Sequence, residues 1–237
     1  IFTRVKASAA FLALKSCDIY NNMEMYSQNP IETTFLKSQE TNQIFYTPRS
    51  HPIITAYWGS QNISPEIKAE IRALSHLTPY LKKVKEMTPE SMAAHIITQS
   101  GIGRYYTTDP TAKNLCYNLP PPEEFDLRKG EPVTIFTRQS PSDYSVKLTT
   151  PYKDDVIDGF MLTATAPILD SSGRFRGIAG IDIPLETILA NLIQEKASQK
   201  REKGVFFGFL MDKNGGFIAY PKSHFDFFGL KIDPAQF

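Results

Sequence analysis

The sequence contains few of the residues and motifs from which disulfide scaffolds, metal sites and common active sites are built. Its 237 residues include two cysteines, Cys17 and Cys116, whose spacing forms neither a CxxC pair nor a disulfide framework. Two buried thiols are therefore expected, with a single bridge as the alternative. The four histidines lack metal-ligand spacing, and the chain contains no HExxH, G-x-S-x-G or P-loop motif. We therefore expect no metal, no cofactor and no enzymatic activity for this chain.

A charge excess and long apolar runs are also absent. The chain has 26 basic and 25 acidic residues, a formal net charge of +1, which gives no electrostatic basis for binding nucleic acid. No apolar run approaches the roughly 18 residues of a membrane span, and basic and polar residues interrupt the start too early for a signal peptide. The sequence begins without methionine, in what resembles the middle of a helix. We therefore expect a piece of a longer protein, whose membrane anchor lies outside it.

Apolar residues make up 41% of the chain and aromatic residues 12%, which is enough to bury a substantial core. At the N-terminus, apolar positions alternate spacings of three and four, as in a heptad seam, and predict a long helix within residues 1–30. The seam consists of Phe2, Val5, Ala9, Leu12, Ser16, Ile19, Met23 and Tyr26. Two uses of it remain open: packing on the sheet of its own domain, and pairing with a second copy of the chain.

A second helix is predicted to begin after Ser64, a suitable N-cap, with Pro65 in its first turn. Its apolar stripe continues past Pro79, which predicts a kink or a split there because proline disrupts a helix interior. Residues 31–44 read as a further, poorer helix. Residues 46–60, which contain the only tryptophan, Trp58, read as a loop.

The segment from Thr149 to Leu192 predicts two strands and a helix. Apolar runs rich in threonine and isoleucine cover Phe160–Leu169 and Phe175–Ile183. They are joined at Asp170–Gly173, where aspartate can bond its own backbone and glycine accepts a positive φ, as a short hairpin loop requires. A helix is expected after Pro184.

In the second of these strands, Asp182 shares a face with Ile178 and Gly180, and the other apolar residues share the opposite face. The carboxylate is thus carried on an otherwise apolar, covered face, where an unpaired charge costs several kcal/mol. Three partners for it remain open: a ligand cation, a nearby arginine or lysine, or backbone N–H groups at the helix start beside Pro184.

A second hairpin signal follows the charged run 196–203. Apolar segments at Gly204–Met211 and Gly216–Tyr220 flank Asp212-Lys213-Asn214-Gly215, which repeats the earlier pattern of strand, Asp-x-x-Gly and strand. A motif that recurs after a helix and a charged connector predicts a second, smaller module. The expected organisation is an N-terminal helix over residues 1–30, a first module over 31–200 and the beginning of a second module over 201–237.

The order of these elements resembles the double Cache sensor domains, the PAS-like extracytoplasmic input modules of histidine kinases, chemoreceptors and diguanylate cyclases. The resemblance covers nearly the whole chain and is most specific at Pro151–Asp154 and Gly177–Ile183, within TTPYKDD and TATAPILDSSGRFRGIAGIDI. It implies an α+β fold in which a long stalk helix flanks two antiparallel sheet modules. It also implies the periplasmic or extracellular part of a membrane receptor in signal transduction, with a small ligand in the membrane-distal module.

The same resemblance implies a set of ligand-binding residues. Tyr152, Asp154 and Asp182 match positions that line the distal pocket, where two carboxylates receive the ammonium group of amino-acid ligands. Arg128 occupies the approximate place of the arginine that grips the ligand carboxylate. Amino-acid binders carry Arg-x-Trp-Tyr, whereas Arg128 is followed by Lys-Gly-Glu. We therefore expect a sensor pocket of different specificity.

Three tyrosines complete the candidate site. Tyr105 and Tyr106 lie at a predicted strand end and alternate in direction, so one is expected to face the pocket while the other packs. Tyr144 is a further candidate of the same kind. The neighbouring Asp155 and Asp158 are expected to be solvated surface residues.

The sequence thus predicts a ligand-sensing ectodomain that binds a small polar organic molecule carrying an amine or a carboxylate. A homodimer through the N-terminal helix is a further expected partner interaction. The alternative function is an extracellular dimerisation or protein-interaction module without a small ligand.

Overall fold

The computed structural model describes residues 1–32, 36–38, 44–58, 62–121, 123–137, 143–154 and 159–191, together with the strand residues 210–211 and 217–219. Asp155, Asp158 and the predicted loop 212–215 lie outside these ranges, as does the charged run 196–203. The fold is α+β, as the sequence predicted.

The N-terminal segment forms two helices, α1 (Phe2–Asn21) and α2 (Met23–Gln28), which are separated at Asn22. The predicted seam faces the protein's own sheet, because its middle residues are buried and α1 packs on the two long strands described below. The buried seam residues are Val5, Ala9, Leu12, Ser16 and Ile19. Of the two uses left open by the sequence, the structure shows the packing on the domain's own sheet.

The second predicted helix is divided just before Pro79, in agreement with the sequence prediction. The Oγ of Ser64 accepts a hydrogen bond from the N–H of Ile67 at 3.3 Å and caps α3 (Pro65–Leu74). A short 3₁₀ turn, Ser75–Leu77, then leads into α4 (Thr78–Met87), which places Pro79 in a first turn where its missing N–H is tolerated. The N-cap and the split are both confirmed.

Nine strands form one antiparallel sheet in the order β1-β2-β3-β5-β4-β9-β8-β6, with β7 also pairing with β8. The strands are β1 (Lys37–Ser38), β2 (Phe45–Tyr46), β3 (Ile54–Tyr57), β4 (Ala93–Thr98), β5 (Ile102–Thr107), β6 (Lys147–Leu148), β7 (Tyr152–Lys153), β8 (Phe160–Leu169) and β9 (Phe175–Pro184). Two of the sequence predictions were wrong here. Within the predicted helix 31–44, the described residues Lys37–Ser38 form strand β1, and the predicted loop 46–60 contains strand β3.

The two faces of the sheet have different coverings. One face packs under α1, α3 and α4, and holds the main hydrophobic core. The other face is covered by short elements: α5 (Pro110–Leu115), α6 (Glu131–Thr137), and the 3₁₀ turns Cys116–Asn118 and Leu127–Lys129. Two smaller apolar clusters lie between these short elements and the sheet. Short elements cannot fill a face as fully as long helices, and this second face holds the cavity described below.

The hairpin β8–β9 has the predicted turn. The Oδ1 of Asp170 accepts hydrogen bonds from the N–H groups of Ser172 and Arg174, each at 3.0 Å, and Gly173 has a φ of +76°. The N–H of Ser171 donates to Oδ1 of Asn21 at 2.7 Å. This bond fastens the turn to the last residue of α1. Residues 185–191, directly after β9, are helical as expected.

The described end of the chain is a two-stranded antiparallel pair, β10 (Leu210–Met211) with β11 (Phe217–Ala219). This pairing agrees with the predicted second hairpin, whereas the extent of a second module stays a prediction. Among the helices of the described residues, none is both long and apolar enough to cross a membrane.

Gly177 lies where β9 approaches β4 most closely. Its φ is +144°, and a Cβ at this position would overlap the carbonyl oxygen of Ile97 and lie 2.7 Å from Cα of Thr98. Because both neighbours are backbone atoms of the paired strand, they cannot rotate away. The position therefore requires glycine for conformation and for space.

We expect Gly177→Ala to destabilise the protein by about 3 kcal/mol or more, because backbone strain and steric overlap add. Gly173→Ala is the matched control: its φ is also positive, but no atom lies within 4 Å of a Cβ placed there, so about 1 kcal/mol is expected. Urea denaturation measures both. Equal losses for the two variants would contradict the close-approach explanation.

Candidate functional site

A cavity of about 280 Å³ lies on the sheet face away from the long helices. Strands β3, β4, β5 and β9 form its floor, and the segments around α6 and the 3₁₀ turns form its walls. Most of its lining is apolar or aromatic, including Tyr46, Trp58, Leu119, Phe125 and Met161. A small number of polar groups converge at one end, which is the usual composition of a small-molecule site.

Strand pairing determines which polar side chains meet. His95 on β4 lies opposite Tyr105 on β5 and opposite Gly180 on β9. Asp182 follows Gly180 at the next position on the same face of β9, so it lies beside the imidazole. The aromatic planes of His95 and Tyr105 are stacked, with ring centroids 6.1 Å apart. Three adjacent strands thus bring a carboxylate, an imidazole and a phenol to one wall of the cavity.

Asp182 is only 6% exposed, and its carboxylate is held by side chains. The Oγ1 of Thr163 on β8 donates to Oδ1 at 2.7 Å. The Nδ1 of His95 lies 3.0 Å from Oδ2, although its direction is not that of a hydrogen bond. Among the described residues, these are the side-chain contacts seen for the two oxygens, and neither comes from the helix start beside Pro184. Of the three partners left open by the sequence, the helix start is therefore not the one observed.

The hydroxyl groups near Asp182 form a directed relay. Thr163 has one hydroxyl hydrogen, which it donates to the carboxylate. The hydroxyl of Tyr152 lies 2.7 Å from Oγ1 of Thr163, so Tyr152 must be the donor in that second bond. The relay therefore runs from Tyr152 through Thr163 to Asp182.

The pKa values of two buried side chains at this end of the cavity, Tyr105 and Cys116, are raised by burial and by nearby acidic groups. Burial raises the pKa of the Tyr105 hydroxyl well above its usual value, and nearby acidic groups, including Asp182 and Asp154, raise it further. Burial likewise raises the pKa of the Cys116 thiol to about 12, again with added contributions from Asp154 and Asp182. Both groups therefore remain neutral, and both carboxylates act on the same small volume.

The structure brings four of the seven predicted site residues to the cavity. Asp182, Asp154, Tyr152 and Tyr105 line it, on or beside β9, β7 and β5. The ligand-binding role of each stays a prediction.

Arg128 lies outside this lining because Asp126 holds it elsewhere. Its Nε is 2.9 and 3.1 Å from the two carboxylate oxygens of Asp126, and its Nη2 is 2.9 Å from Oδ2. Its Nη1 donates to the carbonyl oxygen of Gln99 at 3.4 Å. The hydrogen bonds from Arg128 lower the pKa of Asp126 although burial raises it, and Asp126 in turn raises the pKa of Arg128. The expected position of Arg128 in the pocket is therefore corrected.

The two remaining tyrosines also lie away from the cavity. Tyr106 points to the opposite face of β5 and packs against the main core, as the predicted alternation with Tyr105 requires. Tyr144 packs against the cluster formed by Ile97, Val133, Phe136 and Ile178. Neither residue is brought into the lining.

His95 and Trp58 are two of the lining residues that the sequence analysis did not identify. His95 is 6% exposed, and both of its ring nitrogens are enclosed by protein, with Nε2 over Gly180. Trp58 is 5% exposed, and its indole N–H is buried without a hydrogen-bond partner. The signal for His95 was its place between the apolar residues of β4, on the opposite face from Ala94 and Ile96. Trp58 had no such signal, because β3 itself was not predicted.

Cys116 and Cys17 are both free thiols, as expected. Within the described residues, no group of three or more histidine, cysteine, aspartate and glutamate side chains could hold a metal ion.

We expect Cys116 to resist iodoacetamide at pH 8 in the folded protein. The thiolate is the reactive form, and a pKa of about 12 leaves about one thiol in 10,000 ionised. Timed alkylation followed by peptide mass spectrometry should show modification at least about 100-fold slower than in the urea-unfolded chain. Cys17, half-buried on α1, is the internal comparison. Equal rates for Cys116 in the folded and unfolded protein would contradict this picture of the cavity wall.

Comparison with known proteins gives one family match and several structural likenesses. Residues 77–190, just under half of the chain, match the family model described as the first PDC sensor domain of methyl-accepting chemotaxis protein-like proteins. This range contains β4 to β9 and therefore most of the cavity floor. No individual curated protein matches the chain.

The solved structures that resemble this chain include ligand-binding domains of three bacterial chemoreceptors. Tlp3 of Campylobacter jejuni, in complex with L-valine, has 16% identity and a TM-score of 0.46, over 70% of this chain and 58% of that one. CtaA of Pseudomonas fluorescens, in complex with L-valine, has 18% identity and a TM-score of 0.39, over 61% and 57%. PctB of Pseudomonas aeruginosa, in complex with L-Gln, has 15% identity and a TM-score of 0.43, over 92% and 67%.

This chain spans little more than half the length of the first two of these structures. At such identities and TM-scores, the likeness supports no inference about a ligand. The family match over residues 77–190 confirms the resemblance to Cache domains. Residues 77–190 are therefore similar to a first PDC sensor domain of methyl-accepting chemotaxis protein-like proteins.

Proposed function

We propose that this chain is the ligand-sensing, extracytoplasmic part of a chemoreceptor-type membrane protein, and that the cavity above β4, β5 and β9 is its ligand site. The observation that carries the proposal is a 280 Å³ cavity whose wall holds the buried carboxylate of Asp182. A carboxylate on an otherwise apolar face destabilises the fold unless it is paired, so its place beside a cavity favours a binding role. The ligand is a small polar organic molecule.

The proposed roles follow from the lining. Asp182 and Asp154 supply negative charge, and Tyr152 and Tyr105 supply oriented hydroxyl groups at the same end. The aromatic and aliphatic remainder covers the body of the ligand and contributes most of the buried apolar area. Thr163 donates a hydrogen bond to Asp182 and the ring of His95 lies beside the other carboxylate oxygen, so the carboxylate already has a defined direction when a ligand binds.

Strand β5 offers a route from the cavity to the N-terminal helices. Tyr105 faces the cavity, whereas the neighbouring Arg104 points to the opposite face, where it is fully buried. Its guanidinium binds Glu32, which follows α2, and donates to Oγ1 of Thr78 on α4 at 2.7 Å. A ligand can shift an equilibrium only by differential affinity for two states. We propose that the ligand-free and ligand-bound states differ in the position of strand β5.

The proposal includes the arrangement around the membrane. Residues 1–30 form the stalk segment, residues 31–200 the membrane-distal sensor module, and residues 201–237 the beginning of a membrane-proximal module. The membrane is reached through segments outside this chain. The match to a first PDC domain supports the order of the modules.

Filling the cavity tests the site directly. Ala56 on β3 is 3% exposed and lines the cavity, so Ala56→Phe should occupy the space of a ligand. We expect a metabolite library to contain compounds that raise the melting temperature of the wild type and change the fluorescence of Trp58, the only tryptophan. Both effects should be lost in Ala56→Phe, because the cavity is then filled.

Ala7→Phe, on the exposed side of α1, is the control and should keep both effects. If Ala56→Phe does not fold, Met161→Trp, at another buried lining position, takes its place. Binding that survives a folded cavity-filling variant would overturn the proposal, as would a library without any binder.

A second candidate function, dimerisation through the N-terminal helix, is favoured by one observation. On the side of α1 away from the sheet, Leu14 is 65% exposed and Phe11 is 39% exposed. These residues are a helical turn apart and form an apolar row outside the seam that the domain itself buries. A homodimer would cover this row.

We expect the protein to sediment as a dimer at micromolar concentrations and the double variant Phe11→Ser, Leu14→Ser to sediment as a monomer. Met87→Ser, at an apolar residue that is 49% exposed on α4, is the matched control and should leave the dimer intact. A monomeric wild type, or a dimer that survives the double substitution, would count against this interface.

A further inference from the structure

The wall of the cavity is not equally anchored along its length. The 3₁₀ turn Leu127–Lys129 contains no buried residue, whereas the following helix α6 buries Val133 and Phe136 against the sheet. The carbonyl oxygen of Pro132 also accepts a hydrogen bond from Oγ1 of Thr165 on β8 at 3.1 Å. A segment with few buried apolar contacts opens at a lower free-energy cost than its surroundings. We therefore expect the turn to open more easily than α6.

Asp126 stiffens the turn from within. Its Oδ1 accepts a hydrogen bond from the N–H of Arg128 at 2.9 Å and caps the turn, and its carboxylate also binds the guanidinium. The N–H of Lys129 donates to the carbonyl oxygen of Asp126 at 2.9 Å. Because these bonds lie within residues 126–129, they keep the turn in one shape without attaching it to the sheet. The turn can therefore move as a unit.

Arg128 and Leu127 attach the turn to the sheet. The Nη1 of Arg128 donates to the carbonyl oxygen of Gln99, in the loop between β4 and β5, at 3.4 Å. The side chain of Leu127 lies over Gly103 on β5, where a Cβ would come within 3.2 Å of its Cδ1 and within 3.4 Å of the ring of Trp58. The first contact is a long hydrogen bond from a side chain that is 37% exposed, so it is weak. A stiff turn with a weak attachment can open and close.

The loop between β4 and β5 is itself firmly held. The carbonyl oxygen of Gly101 accepts a hydrogen bond from the N–H of Trp58 at 2.8 Å. On the helical side, Oγ of Ser100 donates to Oε1 of Glu70 on α3 at 2.9 Å. The hydroxyl of Tyr20, near the end of α1, donates to the same oxygen at 2.6 Å. The loop thus contacts the cavity wall on one side and, through Glu70, the end of α1 on the other.

We propose that residues 125–130 form a gate over the cavity, and that Arg128, held by Asp126, is its latch. When the latch is fastened, Leu127 lies over Gly103 and closes the wall. When it is released, the turn lifts and the aromatic end of the cavity beside Trp58 opens. This inference rests on the proposed function for its assignment of the cavity as the ligand site. Arg128 is then a positioning residue that acts through the wall.

A gate of this kind controls the rate of recognition. A ligand enters only while the gate is open, so its rate of entry is proportional to the open fraction. Opening also removes the bond from Arg128 to Gln99, in the loop that contacts α1 through Glu70. Entry of a ligand and a change near the end of α1 therefore share one contact.

Trp58 reports the open state, because it is the only tryptophan and is 5% exposed beside the gate. Acrylamide quenching of its fluorescence measures how often a small neutral molecule reaches the ring. Arg128→Gln removes the guanidinium, and Asp126→Asn keeps a capping side chain but removes the charge that holds the guanidinium. We expect each variant to raise the quenching constant about threefold or more, because loss of a hydrogen bond favours the open state.

Arg174→Gln is the matched control. It removes an arginine that is 67% exposed and pairs with Asp170 at 3.4 Å, outside the cavity lining, so quenching should stay at the wild-type value. All measurements are made where urea denaturation curves give less than about 1% unfolded protein, so that global unfolding cannot supply the quenching. If Arg128→Gln does not fold, Arg128→Lys, which keeps the charge but loses the paired N–H groups, takes its place.

Unchanged quenching in the folded latch variants would overturn the gate, and so would an equal increase in Arg174→Gln. An increase in only one of the two latch variants would overturn the pairing of Arg128 with Asp126 as the latch. Because no ligand is added, these outcomes are separate from those of the proposed function. Failure of the gate leaves the cavity-filling experiment standing, whereas a metabolite library without a binder refutes the ligand site and leaves the opening of the wall measurable.

Discussion

The charge of Asp182 is the constraint on which the site depends. A carboxylate on an otherwise apolar sheet face needs polar neighbours, which the adjacent strands can provide. Thr163 on β8 donates a hydrogen bond to the carboxylate, and the ring of His95 on β4, the other strand that flanks β9, lies beside it. The pairing of β4, β9 and β8 therefore fixes the direction in which the carboxylate points.

The two faces of the same sheet perform different tasks. Long helices cover one face with a continuous apolar core, and short helices and turns leave a hollow on the other. Strand β5 contributes to both faces, because the side chains of the successive residues Arg104 and Tyr105 point in opposite directions. The ion pair of Arg104 with Glu32 ties this strand to the chain beyond α2. One strand thus contacts both the cavity and the segment that follows the N-terminal helices.

The features that could be predicted from the sequence were local ones. The turn at Asp170, the cap at Ser64 and the opposite directions of Tyr105 and Tyr106 each follow from a few neighbouring residues. Strand β1, at the edge of the sheet, and strand β3, between β2 and β5, were missed because both are short and depend on pairing with their neighbours. Arg128 was placed wrongly because Asp126, two residues earlier, caps the 3₁₀ turn and captures the guanidinium, and side-chain competition of this kind has no periodic signature.

The bare backbone at Gly180 creates the space in which the imidazole of His95 lies. A Cβ there would overlap Nε2 of His95 and lie 2.5 Å from its Cε1. The imidazole of His95 on β4 therefore occupies the space that a side chain at position 180 on β9 would need. In related sequences, a side chain at position 180 requires a residue smaller than histidine at position 95. Conversely, replacement of the histidine would remove the requirement for glycine at position 180. Divergence at these two positions should accordingly occur in pairs, and each paired exchange would alter the surroundings of the neighbouring carboxylate of Asp182 and the shape of the cavity beside it.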